Sequence, residues 1–278
     1  MKNQLTLVDA LITLVTLLVA GLYCFPIYWT VVTTLKPEYE VVASGVHLLP
    51  ETPTLAAYIY VFVHTIIGNW YVNSIVTASS GTLLIILMAG GCAYAVSQLD
   101  FPGRRLLYGV VVASFMVPIP TLIVAHFVLM NDFGLINTWA GIVLPQLMIP
   151  LPIAIMIYKQ FFDAIPKEFR EAAVVDGANE FDIFIQIFAP MTWGVTTALA
   201  IYTFIIIWNN FFYPFLLTTS DTAMTVPVGI TQVHEAFGVQ YARNLAGAVL
   251  AALPVVAAYL IFQRRVTQAI MLSAGLKG

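Results

Sequence analysis

The residues of this sequence that could do catalytic or metal chemistry do not add up to a complete site. His234 and Glu235 are adjacent and could bind a metal ion or exchange a proton, but no third partner accompanies them. The phosphate-binding pattern G-x-x-x-x-G-K-[ST] is absent, so no loop of backbone amides and Lys exists to hold ATP. Paired carboxylates and a nucleophile–base spacing are also absent. We therefore predict no enzyme activity, no metal site and no cofactor on this chain.

The polar segment 162–191 carries the most informative spacing in the chain. Pro166 suits the first turn of a helix, where its missing N–H is no loss. Gly177 suits the position just beyond the end of that helix, where a left-handed backbone is common. Asn179 can then cap a second helix with an acidic first turn, and Pro190 marks the entry to the next apolar run. The segment predicts a helix, a sharp turn and a second helix.

The composition of the chain indicates which kind of helices must hold this segment in place. Of 278 residues, 60% are hydrophobic and 9% are charged, too few charges to cover the surface of a soluble domain of this size. A bilayer removes that demand, because a helix satisfies its own backbone polar groups and can face lipid. The sequence predicts an all-α membrane protein, one transmembrane domain over 1–278. Six apolar runs approach or exceed the length needed to span it: 10–35, 70–97, 106–129, 139–161, 192–217 and 244–263.

The orientation follows from the distribution of Lys and Arg between alternate loops. With the N-terminus in the cytoplasm, nine basic residues lie inside and two lie outside, and these account for all 11. The inside positions are Lys2, Arg104, Arg105, Lys159, Lys167, Arg170, Arg264, Arg265 and Lys277. The outside positions are Lys36 and Arg243. The count predicts six transmembrane helices with both termini in the cytoplasm (N-in/C-in) and places 162–191 on the cytoplasmic face.

The predicted spans contain no Asp or Glu, and this bears on the class of transporter. A proton-coupled carrier generally needs an ionisable group at mid-membrane to bind and release its proton. His126 is the one candidate for a relay, and a lone His near a helix end is more often packed or interfacial. The pattern disfavours an ion-coupled secondary carrier.

The cytoplasmic segment resembles the EAA loop of ABC-importer permeases. The pattern is Glu-Ala-Ala, three residues, Gly, nine residues, Ile, two residues and Pro. It is matched at Glu171, Ala172, Ala173, Gly177, Ile187 and Pro190. The chain departs from the pattern at Ala189, where the family usually has Leu.

Shorter pieces resemble the sugar-permease branch of this family, which includes the smaller membrane subunit of the maltose importer. In chain order they are Thr54-Leu55, Tyr58, Asn73-Ser74, Tyr94-Ala95, Phe101, Gly103-Arg104, Asn137-Thr138, Trp208-Asn209 and the tail 275–278. The resemblance thus runs along nearly the whole chain, in a consistent order.

The resemblance implies an ABC type I importer permease fold in which the EAA loop docks on a separate ATPase. Residues expected to couple the chain to that ATPase are Glu171, Ala172, Ala173, Asp176, Gly177 and Pro190. Glu171 is expected to fix the geometry of the loop through polar contacts, and the Ala pair to give a close-packed face. The implied partners are two ATPase subunits (which hold ATP and Mg), a second permease subunit and an extracytoplasmic sugar-binding protein. Lipid surrounds the chain, and no nucleic-acid partner is expected.

Two further sets of residues are candidates for contact with the substrate or the binding protein. Polar and aromatic side chains of the fifth span could bind sugar hydroxyls and rings, although interhelical hydrogen bonding is an equal alternative. These are Tyr202, Thr203, Trp208, Asn209 and Asn210. In the outside loop 218–243, Gln232, His234, Glu235 and Phe237 could contact the binding protein or form an ordinary solvated loop. A non-sugar solute such as a glycerol-phosphate-type compound is the alternative substrate.

Overall fold

All the regular secondary structure in the part that the structure describes is helical. This computed structural model describes residues 7–43, 47–232 and 240–275, with side chains of 8–43, 47–118, 120–232 and 240–261. Those residues contain α-, 3₁₀- and π-helix and no β-strand. The prediction of an all-α protein is confirmed.

The α-helices are numbered in chain order. They are α1 Leu7–Thr34, α2 Glu38–Val41, α3 Ala56–His64, α4 Ile67–Gln98, α5 Arg104–Ser114, α6 Ile123–Asp132, α7 Trp139–Gln146, α8 Leu151–Asp163, α9 Glu168–Val175, α10 Glu180–Ile183, α11 Ala189–Met191, α12 Trp193–Trp208, α13 Phe212–Leu217, α14 Val226–Gly229 and α15 Tyr241–Gly275. The 3₁₀ turns are Ile119–Leu122, Asp221–Ala223 and Ile230–Gln232, and a π-helical segment, Phe184–Phe188, joins α10 to α11.

Three helices of the described chain are long and apolar enough to cross a membrane: Val8–Thr34, Ile67–Gln98 and Tyr241–Ile261. They correspond to the first, second and sixth predicted spans. Two bent pairs pass the same test, α7 with α8 at 55° and α10–α11 with α12 at 80°, which raises the number to as many as five. The expected count of six continuous spans is therefore not confirmed.

Proline accompanies two of the three departures from continuous spans, because it removes a backbone donor and its ring collides with the preceding turn. The predicted span 106–129 is divided at Pro118 and Pro120 into α5, a 3₁₀ turn and α6. The predicted span 139–161 bends between α7 and α8, where Pro150 precedes the second helix. The predicted span 192–217 ends first at Trp208 and resumes as α13.

The contacts within the chain divide it into two compact units. The first unit consists of the chain up to Ile67 together with Ile230–Leu253. In this unit Glu38 caps the start of α15, its carboxylate oxygens accepting from the backbone N–H of Tyr241 (2.7 Å) and Ala242 (3.0 Å). Arg243 lies 3.9 Å from the centre of the Tyr60 ring. Most of the apolar side chains of α1 are exposed in the isolated chain, as expected of a helix that faces lipid or another membrane subunit.

The second unit comprises Gly68–Gly229 and Pro254–Gly278, and α4 runs through it. One of its apolar clusters is built on Met130, Tyr213 and Leu217. His126 Nδ1 lies 2.8 Å from the Tyr213 hydroxyl at the edge of this cluster. This contact favours a packing role for His126 over a proton relay.

Candidate functional site

The candidate site is the segment 162–191, which folds as the local chemistry predicts. Helix α9 ends at Val175 and Gly177 follows with φ +85°, in the left-handed region that Gly adopts at little cost. The backbone N–H of Gly177 donates to the Val174 carbonyl and that of Ala178 to the Ala173 carbonyl, both at 3.0 Å. This pair of bonds is the Schellman motif, which satisfies carbonyls left free at a helix end. The predicted sharp turn is confirmed.

The second helix of the segment begins at a side-chain cap. Asn179 Oδ1 accepts from the backbone N–H of Asp182 at 3.0 Å, and its Nδ2 donates to the Asp182 carboxylate at 2.6 Å. The helical path then continues through the π-helical segment to Met191, and the chain bends by 80° before α12. Pro190 lies in the last turn before this bend. The predicted second helix and its cap are confirmed.

The carboxylate that fixes the turn is Glu180. Arg170 on α9 pairs with it through Nη2 and through Nε (3.3 Å to Oε2), and the Tyr94 hydroxyl on α4 donates to Oε2 at 2.6 Å. The hydrogen bond to Glu180 raises the pKa of the Arg170 guanidinium above its ordinary value. Glu171, to which the resemblance gave this role, is exposed and its side chain makes no hydrogen bond to any described residue. Its role in fixing the loop stays a prediction.

An aromatic cluster lies between α4 and the segment. The Tyr94 ring packs against Phe184 at 5.3 Å, Phe188 at 5.1 Å and Phe162 at 6.3 Å, measured between ring centres. Tyr158 stacks on Phe162 at 5.7 Å. Phe162 and Phe188 are 1% and 0% exposed, so the segment has a buried apolar base of its own.

A second group of polar contacts ties the last turn of α4 to the end of α8. The Ser97 hydroxyl donates to Asp163 at 2.6 Å, and Gln98 Nε2 donates to the Phe162 carbonyl at 2.9 Å. Lys159 pairs with the same Asp163 carboxylate at 2.5 Å. The segment is therefore anchored to α4 at both of its halves, by Tyr94 on one side and by Ser97 and Gln98 on the other.

The opposite face of the segment is exposed and partly apolar. Val175 is 86% exposed and Phe181 is 71% exposed, on the two sides of the turn. Of the other expected coupling residues, Ala173 is half-buried and the rest are exposed, namely Glu171, Ala172, Asp176, Gly177 and Pro190. Exposed side chains of this size on a rigid support form a surface suited to contact another protein.

A different network anchors the segment 218–229 at the other end of α4. Asn73 donates to the carbonyls of Thr222 (2.8 Å) and Met224 (2.9 Å) and accepts from the Trp139 indole N–H (2.8 Å). The neighbouring Ser74 hydroxyl accepts from the backbone N–H of Val226 at 2.8 Å. Asn73 and Ser74, singled out by resemblance, thus have a structural role.

Asn137 completes this anchor from the start of the α7 region. Its Oδ1 accepts from the backbone N–H of Thr219 (2.7 Å) and Ser220 (3.0 Å), and its own backbone is left-handed with φ 61°. Asn tolerates this conformation better than most residues with a side chain.

The residues expected along a substrate path fall into different environments. Thr203 is fully buried and its hydroxyl bonds back to the Leu199 carbonyl at 2.8 Å, while Trp208 is 2% exposed and stacks on Phe204. Both side chains pack in the interior of this structure, and their assignment to a substrate path stays a prediction. Asn210 caps the following turn by accepting from the Tyr213 N–H at 3.1 Å.

Tyr202 and Asn209 remain exposed, at 40% for Tyr202, and stay candidates. The structure does outline an apolar groove of about 540 Å³ on another face of α12, which Trp193, Thr197 and Phe204 line together with Leu83 of α4. Of the residues expected to contact the binding protein, Gln232 is exposed. His234, Glu235 and Phe237 lie outside the described residues.

The sequence reasoning missed Tyr94, Arg170 and Glu180 as one unit. Tyr94 stood out only by resemblance, and Glu180 only as an acidic residue in a first turn. No local pattern could join them, since Tyr94 and Glu180 are 86 residues apart in the chain.

The described chain thus has long apolar helices and an exposed helix–turn–helix that is anchored to α4. The chain belongs to the family described as binding-protein-dependent transport system inner membrane component, whose model matches residues 81–270. The resemblance to ABC-importer permeases and the inner-membrane location are confirmed, and the chain is the membrane part of such a system.

Several relatives named as transport permeases align with this chain over most of their own length. The trehalose transport system permease protein SugB of Mycobacterium tuberculosis is 34% identical over 94% of this chain and 95% of its own. The diacetylchitobiose uptake system permease protein NgcG of Streptomyces coelicolor is 30% identical, over 87% of this chain and 80% of its own. The arabinooligosaccharides transport system permease protein AraQ of Bacillus subtilis is 29% identical, over 91% of this chain and 90% of its own.

The fold also matches a solved structure. A chain from the crystal structure of a bacterial ABC transporter involved in the import of the acidic polysaccharide alginate superposes with a TM-score of 0.78, at 22% identity, over 93% of this chain and 98% of that one. The fold is therefore that of an ABC-importer permease.

Proposed function

We propose that this chain is the permease subunit of an ABC importer that moves a sugar into the cytoplasm. It would form one transmembrane domain over 1–278 with six spans, three of them kinked or divided, and with both termini inside. Two ATPase subunits would bind ATP and Mg, a second permease subunit would complete the membrane part, and an extracytoplasmic binding protein would deliver the sugar. The relatives named for trehalose, diacetylchitobiose and arabinooligosaccharides support a sugar as the substrate.

The geometry of α4 supports the proposed topology. Asn73 and Tyr94 are 21 residues apart on one helix, a rise of about 31 Å. This distance matches the hydrocarbon thickness of a bilayer, about 30 Å. The segment 162–191 contacts α4 at the Tyr94 end and the segment 218–229 contacts it at the Asn73 end, which fits placement on opposite sides of the membrane.

The observation that carries the proposal is the rigid mounting of an exposed helix–turn–helix. Its inner face is fixed to α4 through Glu180 and the aromatic cluster, while its outer face presents Glu171, Val175 and Phe181. A surface that must transmit movement needs both properties, a face open to the partner and a stiff connection to a span. The exposed face is the proposed docking surface for the ATPase.

We predict that Val175→Asp reduces recovery of the ATPase with the chain by about tenfold or more. Val175 is 86% exposed, so the substitution should change the stability of the chain itself by about 0.5 kcal/mol or less. A charge buried without a partner at an interface costs several kcal/mol, which would abolish docking. The measurement is the ATPase-to-permease ratio after gentle detergent purification, quantified by mass spectrometry.

Val42→Asp is the matched control, because Val42 is also an exposed valine (61%) and lies in the segment that the topology places outside. It should leave the ATPase ratio unchanged. An unchanged ratio in Val175→Asp would remove this residue from the docking surface.

The experiment that tests the proposed function is purification of the tagged chain from its native membrane with identification of the accompanying proteins. Recovery of an ATPase with a phosphate-binding loop, a second membrane subunit and a secreted binding protein would establish the importer. Screening that binding protein against sugars and glycerol-phosphate-type compounds would then decide between the two substrate classes. Absence of any ATPase, under conditions that keep other membrane complexes intact, would contradict the proposal.

A further inference from the structure

In addition to the Ser97 and Gln98 contacts at the start of the segment, a polar chain of three residues ties the exposed helix–turn–helix to α4. Arg170 on α9 and Glu180 on α10 lie on the two sides of the turn, and their ion pair holds the two helices at a fixed angle. The Tyr94 hydroxyl on α4 donates to the Glu180 carboxylate (2.6 Å to Oε2) and so joins this ion pair to a long apolar helix. The chain therefore runs from α9, through Glu180, to α4.

The Tyr94 hydroxyl is more than a packing feature. Its ring is already held by three aromatic neighbours with centres 5.1 to 6.3 Å away, so the ring alone accounts for burial of the side chain. The hydroxyl adds a short bond to an ionised acceptor, a kind of bond about twice as strong as one between neutral groups. It places a directional constraint on Glu180 that ring packing does not supply.

The helical path after Glu180 is irregular. A π-helical segment, Phe184–Phe188, follows at once, and the chain bends by 80° before α12. A cavity of about 540 Å³ lies beside this region, lined by Ile86 and Gly90 of α4 and by Trp193. Along the chain, the path from the segment to α12 crosses this bend, whereas the Tyr94–Glu180 contact joins the segment to α4 directly.

We propose that the Tyr94–Glu180–Arg170 chain is the positioning linkage through which movement of the docking segment is passed to α4. The inference rests on the proposed function, because it requires an ATPase that moves the segment. Tyr94 and Glu180 act here through the position of the helices and do not bind substrate. Breaking the linkage leaves docking of the ATPase and ATP hydrolysis intact, but it reduces the movement of α4 that accompanies them.

The test uses the complete importer with a single reporter cysteine on α4. Cys24 and Cys92 are replaced by Ser, and Leu83→Cys supplies the reporter, because Leu83 is 59% exposed and lines the groove beside α12. The measured quantity is the change in thiol labelling between the nucleotide-free complex and the complex held with ATP and vanadate. This readout needs no knowledge of the transported sugar.

Tyr94→Phe is expected to reduce the ATP-dependent change in labelling by about twofold to thirtyfold, the range found for residues that carry coupling between sites. ATPase recovery and the rate of ATP hydrolysis are expected to stay near those of the unmodified complex. Glu180→Leu removes the acceptor of this bond together with the Arg170 ion pair, so its effect should be at least as large. The double variant should be little worse than Glu180→Leu alone, because Tyr94→Phe then removes no further hydrogen bond to residue 180. Tyr108→Phe is the matched control, since the Tyr108 hydroxyl has no hydrogen-bond partner among the described residues.

Three outcomes separate this inference from the proposed function. Normal ATP-dependent labelling in Tyr94→Phe would overturn the linkage while leaving the importer in place. Loss of ATPase recovery in Tyr94→Phe would show a merely structural role and would also overturn it. An unmodified complex that contains no ATPase and shows no change with ATP would instead contradict the proposed function.

Discussion

Gly177→Val is expected to lower transport by fivefold to more than a hundredfold without preventing insertion of the chain. Gly177 has φ +85°, and a residue with a branched Cβ held there costs about 1–3 kcal/mol of backbone strain. A Cβ at this position would meet nothing within 4 Å, so the effect comes from the backbone alone. Relief of the strain would open the Schellman turn and misplace α9 relative to α10. The measurement is uptake of the identified substrate by cells expressing equal amounts of each variant.

Gly177→Asn is the matched control for this prediction, because Asn populates the left-handed region far more readily than Val. It should retain most of the uptake. Equal uptake by the Val and wild-type proteins would contradict the importance of the turn, and equal loss in Val and Asn would indicate a side-chain clash with a partner instead of backbone strain.

Asn73→Ala is expected to have the largest effect on stability, about 2–5 kcal/mol. The substitution leaves the Thr222 and Met224 carbonyls and the Trp139 indole N–H without their partner. A buried polar group left unpaired costs about 1–3 kcal/mol, and interhelical polar contacts in membranes average less, about 0.6 kcal/mol. Because Asn73 is 6% exposed, water cannot easily replace the lost bonds.

The measurement is the thermal unfolding of the detergent-solubilised complex, together with thiol labelling of a cysteine placed at Ser220. We expect a lower midpoint and faster labelling, since the segment 218–229 loses its anchor on α4. Asn131→Ala is the control, because Asn131 is exposed and its side chain makes no hydrogen bond to a described residue. An unchanged midpoint in Asn73→Ala would mean that Asn137 and Ser74 hold the segment without it.

The two predictions differ in how far the sequence alone could support them. Gly177 and Asn179 act on residues within five positions along the chain, so their roles follow from local backbone chemistry. Asn73 acts on Met224, 151 residues away, and Tyr94 acts on Glu180, 86 residues away. Hydrophobic periodicity and capping rules carry no information about such pairs.

The span boundaries show the same division. Composition and apolar length determined the membrane class and located α1, α4 and α15, because the bilayer imposes those requirements on any helix. Whether a proline divides a span was decided by the tertiary structure. Pro26 and Pro254 lie inside continuous helices, whereas Pro118 and Pro120 accompany a break. The presence of a proline therefore does not by itself determine whether a span is continuous.

The sequence by itself determined the class of protein, the helix–turn–helix at 162–191 and the residues that form its turn, since all three follow from composition or from contacts within a few residues. Only the tertiary structure decided that Glu180 pairs with Tyr94 and Arg170 and that Trp208 and Thr203 are packed in the interior. A side chain's partner and its burial depend on the three-dimensional approach of distant helices. The physical reason is that those approaches are selected by packing and by the need to pair buried polar groups, which act across space and not along the chain.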